Sequence, residues 1–210
     1  MSVLPVTRFT QVSKKLLMLV VELIASTSVL VRFTANAQAQ WQLVNEASQL
    51  NFISTKATHI AESHTFTKLQ GSVSDAGQAN LTIDLASVET MIPIRNERMG
   101  TMLFEIASFP TAKFTAQVDL ETFNQLSVGA MKDMALNGEL SLRSTTLPLN
   151  ANVRVIKLDG NRVQVQTLTP AILNANSLSV VGGIEKLRNV AGLPSISHSV
   201  PVTFSLIFQQ

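Results

Sequence analysis

Alternation of apolar and polar residues is the feature that most limits how this chain can fold. A period of two residues places apolar side chains on one face of a β-strand and polar side chains on the other. The clear runs are residues 49–52, 79–85, 114–120, 134–142, 147–155, 163–165 and 202–208, with weaker candidates at 41–44 and 65–73. About eight short strands in one chain indicate an antiparallel sandwich or barrel.

Turn-forming residues separate these runs and define how the strands connect. They occur at residues 75–77, 144–146 and 159–161. Asp159, Gly160 and Asn161 are typical of a tight turn between paired strands. Residues 153–165 are therefore predicted to form a β-hairpin.

Two segments break the alternation and predict short helices. In the first, apolar residues recur at helical spacing before Phe109 and Pro110: Met99, Met102, Leu103 and Ile106. In the second, one apolar face precedes Gly192 and Pro194: Ile184, Leu187 and Ala191. Two such helices are suited to closing the ends of a barrel.

The first 39 residues are typical of a signal peptide. Arg8, Lys14 and Lys15 precede an apolar run at residues 16–31, and Ala37-Gln38-Ala39 supplies a small-x-small cleavage pattern. The sequence therefore predicts a signal peptide at 1–39 and one mature domain at 40–210. Glu22 within the apolar run leaves an uncleaved anchor as the alternative.

Charge and cysteine content exclude several classes of function. Residues 40–210 hold 12 basic and 13 acidic side chains, so they lack the basic surface that a nucleic acid requires. Cysteine is absent from the sequence, which excludes disulfides, thiolate metal sites and a cysteine nucleophile.

The apolar strand faces must mostly cover one another and therefore point inward. An eight-stranded barrel has an interior that is either filled by side chains or holds one small ligand. Many inward candidates are small or flexible: Ala79, Ala116, Ala151, Val163, Val165 and Met134. Pattern alone leaves both a packed core and a cavity open.

Three segments are similar to a known family: LNFISTKATHIAESHTFTKLQGSV, LTIDLASVETMIPIRNERMGTMLFEIASFPTAKFTAQV and LNGELSLRSTTLPLNANVRV. From about Trp41 to Phe208 the chain resembles the YceI-like family of exported bacterial lipid-binding proteins. The resemblance implies a lipocalin-like antiparallel barrel around an apolar cavity, an isoprenoid ligand of polyprenyl or quinone type, and a periplasmic location. Many family members carry Gly-x-Phe in the third strand, where this chain reads HIAESHTFTKLQGSV.

Apolar residues of the strands and of the first helix are the predicted lining of that cavity. They are Phe52, Leu81, Ile83, Met99, Met102, Leu103, Phe114, Leu140 and Phe204.

Arg95 and Arg98 lie where the first helix is predicted to begin. A cation is unfavourable by about 0.3–1 kcal/mol near a helix N-terminus, so the arginines indicate an anionic partner. That partner is either a polar lipid head group, which a guanidinium binds through paired hydrogen bonds, or a nearby carboxylate, Asp84 or Glu89. The nearby carboxylate is the simpler interpretation.

The remaining polar residues give little indication of catalysis or metal binding. His59 and His64 are five residues apart and would face opposite sides of one strand, and Glu62 with His64 would be an incomplete metal site. No Gly-x-Ser-x-Gly motif or phosphate-binding glycine loop occurs. We predict a binding protein without a metal or cofactor, with a dispersed triad that uses His198 as the catalytic alternative.

The sequence therefore predicts a periplasmic carrier that holds an isoprenoid or other long-chain apolar lipid and contacts membranes transiently. One alternative is a small outer-membrane β-barrel, although Trp41 is the only tryptophan and tyrosine is absent, too few for aromatic girdles. Another is an accessory protein of a lipid-modifying enzyme. The oligomeric state is left open.

Overall fold

The structure is a computed structural model that describes residues 39–210. The predicted signal peptide lies outside the described residues, apart from Ala39. No helix within residues 39–210 has both the length and the apolar character needed to cross a membrane.

The described residues form one antiparallel sheet of twelve strands. The strands are β1 (Ala39–Leu43), β2 (Gln49–Lys56), β3 (Ile60–Phe66), β4 (Leu69–Ser74), β5 (Gln78–Asp84), β6 (Val88–Glu89), β7 (Thr111–Gln117), β8 (Met131–Leu142), β9 (Thr145–Lys157), β10 (Arg162–Thr167), β11 (Ala171–Asn174) and β12 (Ser199–Gln209).

Eight strands close into a ring, in the order β1, β4, β5, β7, β8, β9, β10 and β12. The ring closes where Leu43 of β1 lies opposite Phe208 of β12. The other half of β12 continues onto β2, with Val202 opposite Phe52, and from there the sheet extends to β3 and β6. The predicted antiparallel barrel of about eight strands is confirmed.

Three ring positions are occupied by bent strands rather than straight ones. Each bent strand consists of two consecutive strands with a short break between them. The pairs are β1 with β2, β3 with β4, and β5 with β6, and their breaks lie side by side. Side chains join these breaks: Asn45 accepts a hydrogen bond from the Leu69 amide at 2.7 Å, and the Ser87 hydroxyl accepts one from the Lys68 amide at 3.0 Å. The weak strand predicted at 65–73 is thus two strands with a break at residues 67–68.

The predicted hairpin at 153–165 is confirmed, because Val155 of β9 pairs with Val165 of β10. The turn predicted at 144–146 lies slightly earlier, since β8 ends at Leu142 and β9 begins at Thr145. Arg143 forms this turn with a φ of 54°.

Both predicted helices are present, and they pack against each other. Helix α1 (Pro93–Arg98) continues directly into a π-helical turn, Met99–Phe104, and α3 spans Val181–Val190. A Cβ added to Gly183 of α3 would lie 2.7 Å from the Leu103 Cα, so the two backbones approach closely.

Three further helical turns have no counterpart in the sequence prediction, and two of them are 3₁₀ turns at Asn45–Ala47 and Leu85–Ser87. Residues 114–120 were expected to be one strand, but β7 ends at Gln117 and Leu120 begins helix α2 (Leu120–Asn124). The Asp119 carboxylate accepts a hydrogen bond from the Glu121 amide at 3.0 Å and caps this helix. The local cap prevails over the weak alternation of residues 118–120.

The core lies inside the barrel, where the inward faces of the strands meet. Leu85 and Val153 are each 1% exposed, and Phe66 contacts Phe52 and Phe104 with ring centroids 5.4 and 5.8 Å apart. Each fully buried side chain of this kind contributes about 1.5–3 kcal/mol to folding.

Candidate ligand-binding cavity

The barrel interior is hollow and contains a cavity of about 580 Å³. This volume lies within the range of about 300–1,000 Å³ that is usual for small-molecule sites. Small side chains on β5, β9 and β10 leave this space open: Ala79, Ala151, Val163 and Val165 line the cavity, as does the flexible Met134. Of the two interiors left open by the sequence, the structure has the cavity rather than the packed core.

Most of the predicted lining residues border the cavity. Those that do are Phe52, Leu81, Ile83, Met99, Leu103, Phe114, Leu140 and Phe204. Strand alternation is sufficient to find the strand residues, because residues two apart share a face.

Met102, the remaining predicted residue, is not among the side chains that border the cavity. The prediction assumed α-helical spacing, but residues 99–104 form a π-helical turn. A π-helix has more residues per turn, so Met99 and Leu103 face the cavity whereas Met102 is rotated away from it.

The interior has the opposite polarity to that of a transmembrane barrel. Apolar side chains such as Leu81 and Ile83 face inward, while Thr82 between them lies on the other face of β5. A membrane-spanning barrel places its apolar face toward lipid and its polar face toward the lumen. The arrangement is that of a barrel built around an apolar interior.

Polar side chains cluster in one part of the cavity wall, contributed by β2, β3 and α1. The members of this polar cluster are Ser54, Lys56, Glu62, His64, Arg95 and Arg98. Ser54 and Glu62 are paired across β2 and β3, which explains why two separate segments meet here.

Glu62 is the centre of the polar cluster. Its Oε2 lies 2.7 Å from the Lys56 Nζ and 2.7 Å from the Arg95 Nη1. Hydrogen bonding from Lys56, with that from Arg95, holds the pKa of Glu62 below its usual value of 4.5. Arg95 also donates from Nη2 to the Thr90 carbonyl at 2.6 Å, so it ties α1 to β3 and to the end of β6.

The predicted carboxylate partner of Arg95, Asp84 or Glu89, is wrong. Asp84 Oδ1 instead accepts a hydrogen bond from the Ala86 amide at 2.9 Å, and Glu89 Oε1 accepts one from the Asn96 side chain at 3.1 Å. Both carboxylates therefore accept hydrogen bonds from residues nearby in the sequence and not from Arg95. No local sequence signal links Glu62 to Arg95, because 33 residues separate them.

His64 is buried in the cavity wall, with 4% of its surface exposed. Its Nε2 lies 2.8 Å from the Ser54 hydroxyl, and its ring is 5.2 Å from that of Phe52. Burial, followed by the positive charge of Arg95, lowers the pKa of His64 below its usual 6.5, so the ring is neutral at pH 7.

The other histidines lie away from this cluster. His59 is in the turn between β2 and β3, and His198 Nε2 is 3.8 Å from Glu185. Within residues 39–210 no three histidine, aspartate or glutamate side chains converge in a way that could hold a metal ion.

The molecule is a closed antiparallel barrel whose apolar cavity has one polar section of wall. It therefore belongs to the class of barrel proteins that are built around an internal binding space. The chain belongs to the YceI-like domain family, whose model matches residues 41–208. The resemblance predicted from the sequence is confirmed.

Two solved structures illustrate the similarity. A polyisoprenoid binding domain from Saccharophagus degradans, implicated in plant cell wall breakdown, is 40% identical, with a TM-score of 0.81. The match covers 82% of this chain and 99% of that one. BcnA from Burkholderia cenocepacia is 17% identical with a TM-score of 0.59, covering 79% of this chain and 98% of that one, and it shows a shared fold. Among curated proteins, none matches this chain.

Proposed function

We propose that this protein binds a long-chain isoprenoid lipid in the barrel cavity and carries it in the periplasm without chemical change. The observation that carries the proposal is the apolar cavity of about 580 Å³ inside the closed ring. The 40% identity to a polyisoprenoid binding domain supports the ligand class.

Binding of this kind is driven by removal of the chain from water. Each buried methylene contributes about 0.8 kcal/mol, so the length of chain that fits the cavity dominates affinity. Methionine adapts to irregular apolar shapes, and Met99 and Met134 in the wall suit a chain with branching methyl groups.

The first test is to identify what the protein retains. Mass spectrometry of organic extracts from natively purified protein is expected to find a long-chain isoprenoid at near-stoichiometric amounts. After delipidation, fluorescence of Trp41 should report rebinding, because it is the only tryptophan and it lines the cavity. Protein that retains no lipid and rebinds none would contradict the proposal.

A matched pair of variants tests whether the ligand binds inside the barrel. Ala151→Phe fills part of the cavity and should weaken prenol binding by more than about tenfold, since exclusion of two methylenes alone costs about 1.6 kcal/mol. Ala135→Phe is the control, because Ala135 is exposed and adjoins Leu136, the partner of Ala151. Equal loss in both variants would argue against binding in the cavity.

We also propose that the carrier exchanges lipid with a membrane through the side of the barrel that holds the polar cluster. Ile92 and Ile94 line the cavity and are also 43% and 50% exposed, so they lie at its rim. Met91, 87% exposed, and Ile60, 51% exposed, lie on segments that adjoin the same cluster. A bilayer is the partner that would cover such a rim and supply an insoluble chain.

The periplasmic location rests on the signal peptide predicted at residues 1–39. N-terminal sequencing of protein from the periplasmic fraction should give Gln40 as the first residue. A mature protein that keeps its apolar run would instead favour the anchored alternative.

A further inference from the structure

Three side chains of the polar cluster have nitrogen atoms that no protein group pairs with. Arg95 Nε and His64 Nδ1 are buried atoms without a hydrogen-bond partner, and His64 is only 4% exposed. Within residues 39–210 the half-buried guanidinium of Arg98 makes no ion pair or hydrogen bond either. Buried polar groups are nearly always paired. All three side chains border the cavity, so a ligand is the natural source of the missing partners.

The hydrogen bond between Ser54 and His64 assigns Nδ1 as a donor. If Ser54 donates to Nε2, the proton of the neutral ring lies on Nδ1, and a single donor is left unpaired. If Nε2 donates to Ser54 instead, both the serine proton and Nδ1 lack partners. The first arrangement leaves fewer groups unsatisfied. A protonated ring would also carry a proton on Nδ1, so the atom that lacks a partner is an N–H group.

Positive charge exceeds negative charge in the polar cluster. Its cations are Lys56, Arg95 and Arg98, and Glu62 is the one carboxylate among the described residues that line the cavity. Lys56 and Arg95 both contact the same oxygen of Glu62 at 2.7 Å, so Arg98 is left without an anion. A charge beside an apolar cavity is costly unless it is paired. The missing partner is therefore an anion rather than a neutral oxygen.

The free donors match the acceptor sites of a carboxylate. Arg95 and Arg98 are three residues apart on α1 and share one face of it, and His64 lies on β3. The guanidinium of Arg98 can present two parallel N–H groups, while Arg95 Nε and His64 Nδ1 present one each. The two oxygens of a carboxylate accept about four hydrogen bonds. A phosphate has a third oxygen, which these donors would leave unpaired beside an apolar wall.

We infer that the polar cluster contains a carboxylate subsite, and that the cavity takes fatty acids as a second class of cargo beside isoprenoids. Arg98 binds the two carboxylate oxygens, and Arg95 Nε and His64 Nδ1 donate to the same head. The acyl chain lies in the apolar part of the cavity. This inference rests on the proposed function, because the same cavity holds the chain, and goes beyond it in assigning a charged head.

The experiment compares two probes on delipidated protein by Trp41 fluorescence, since this tryptophan lines the cavity. One probe is dodecanoate, and the other is dodecanamide, which has the same chain and a neutral head of the same shape. Arg98→Gln should reduce the affinity for the acid relative to the amide by about tenfold or more, because hydrogen bonds to a charged group are lost. The ratio between the probes cancels the difference in their hydration.

Arg162→Gln is the matched control, because it removes the same charge outside the cavity lining, and it should leave the ratio unchanged. A ratio that is also unchanged in Arg98→Gln would overturn the inference. Tighter binding of dodecyl phosphate than of dodecanoate would overturn the carboxylate assignment in favour of a phosphate head. Wild-type protein that binds a prenol but not dodecanoate would overturn the inference alone, and failure of the prenol as well would overturn the proposed function.

A second measurement needs no variant and guards against misfolding of Arg98→Gln. In ¹H–¹⁵N NMR spectra of the wild-type arginine side chains, the Nε–H signal of Arg95 should shift on addition of dodecanoate, because this buried donor gains an anionic acceptor. Dodecanamide should shift it less. Equal shifts with both probes, or a signal that dodecanoate leaves in place, would contradict the assignment.

Discussion

Glu62 is the residue that holds the polar cluster together, since one carboxylate oxygen meets Lys56 and Arg95 at 2.7 Å each. Its side chain is 32% exposed, so the ion pairs are partly screened by water. Exposed pairs contribute about 0.2–1 kcal/mol, and a carboxylate shared by two cations lies at the upper end of that range.

Glu62→Gln is expected to lower the free energy of unfolding by about 1 kcal/mol at pH 7, as measured by urea denaturation. The pKa of Glu62 is lower in the folded state than in the unfolded state, so the stabilisation is fully present above the usual value of 4.5. It is lost as the pH falls through the lowered folded pKa. The difference between wild type and variant should therefore shrink as the pH falls below 4.5.

The exposed Glu97 on α1 provides the control for this experiment, because Glu97→Gln removes the same charge without touching Lys56 or Arg95. A pH-independent difference for Glu62→Gln, or an equal effect of Glu97→Gln, would contradict the assigned role.

Single residues show how far sequence reasoning extends. Phe52, Leu81 and Phe204 could be placed in the cavity wall, because alternation fixes the face of a strand residue. Arg95 could be recognised as needing an anion, but its partner Glu62 could not be found. That contact depends on how α1 docks on β3, which is decided by tertiary packing.

Among the elements, α3 and the π-helical turn before β7 depend on glycine for their close approach. A Cβ at Gly183 would lie 2.7 Å from both the Met102 carbonyl oxygen and the Leu103 Cα, whereas nothing lies within 4 Å of one at Gly182. Backbone atoms cannot move aside as a flexible side chain can. A comparison of substitutions at Gly182 and Gly183 therefore distinguishes the effect of packing from the effect of helix propensity.

Gly183→Ala should destabilise the protein by about 1–3 kcal/mol, because α3 must shift to relieve the clash. Gly182→Ala should instead stabilise it by up to about 1 kcal/mol, since alanine is the better helix former. Chemical denaturation of both variants provides the comparison, and a loss of stability in Gly182→Ala similar to that in Gly183→Ala would refute the packing argument.

Sequence patterns identified the existence of strands better than their interruptions. β8 and β9 were found because their alternation is long, and the hairpin to β10 followed from its turn residues. The breaks between the bent strands were missed because they are held by contacts between distant segments, such as Asn45 with Leu69. Helix α2 was missed because one capping residue, Asp119, outweighed the alternation around it.

At the scale of the whole molecule, a hollow barrel forgoes part of the packing that a filled core would provide. The cavity is bordered by side chains that lack protein contacts on one side, and a bound lipid chain would supply those contacts. Ligand binding should therefore stabilise the folded barrel.

A prenol at a free concentration of 100 times its Kd should raise the free energy of unfolding by about 2.7 kcal/mol. Urea denaturation with and without the ligand measures this increase. At the same prenol concentration Ala151→Phe, whose binding is weakened more than about tenfold, should gain less than about 1.4 kcal/mol, and Ala135→Phe should gain as much as wild type. Stabilisation of all three proteins to the same extent would indicate binding outside the cavity.

The exposed apolar rim extends from α1 to the β2–β3 turn, so it involves one whole side of the barrel. Met91→Asp combined with Ile60→Asp should slow transfer of a fluorescent prenyl lipid from phospholipid vesicles by at least about tenfold, since two side chains worth about 1.5–3 kcal/mol each no longer enter the bilayer. Val128→Asp is the control, since Val128 is 65% exposed but does not line the cavity. Affinity for a short soluble prenol should stay unchanged in both proteins, because neither change narrows the cavity itself. Equal transfer rates in the rim variant and the control would show that lipid enters elsewhere.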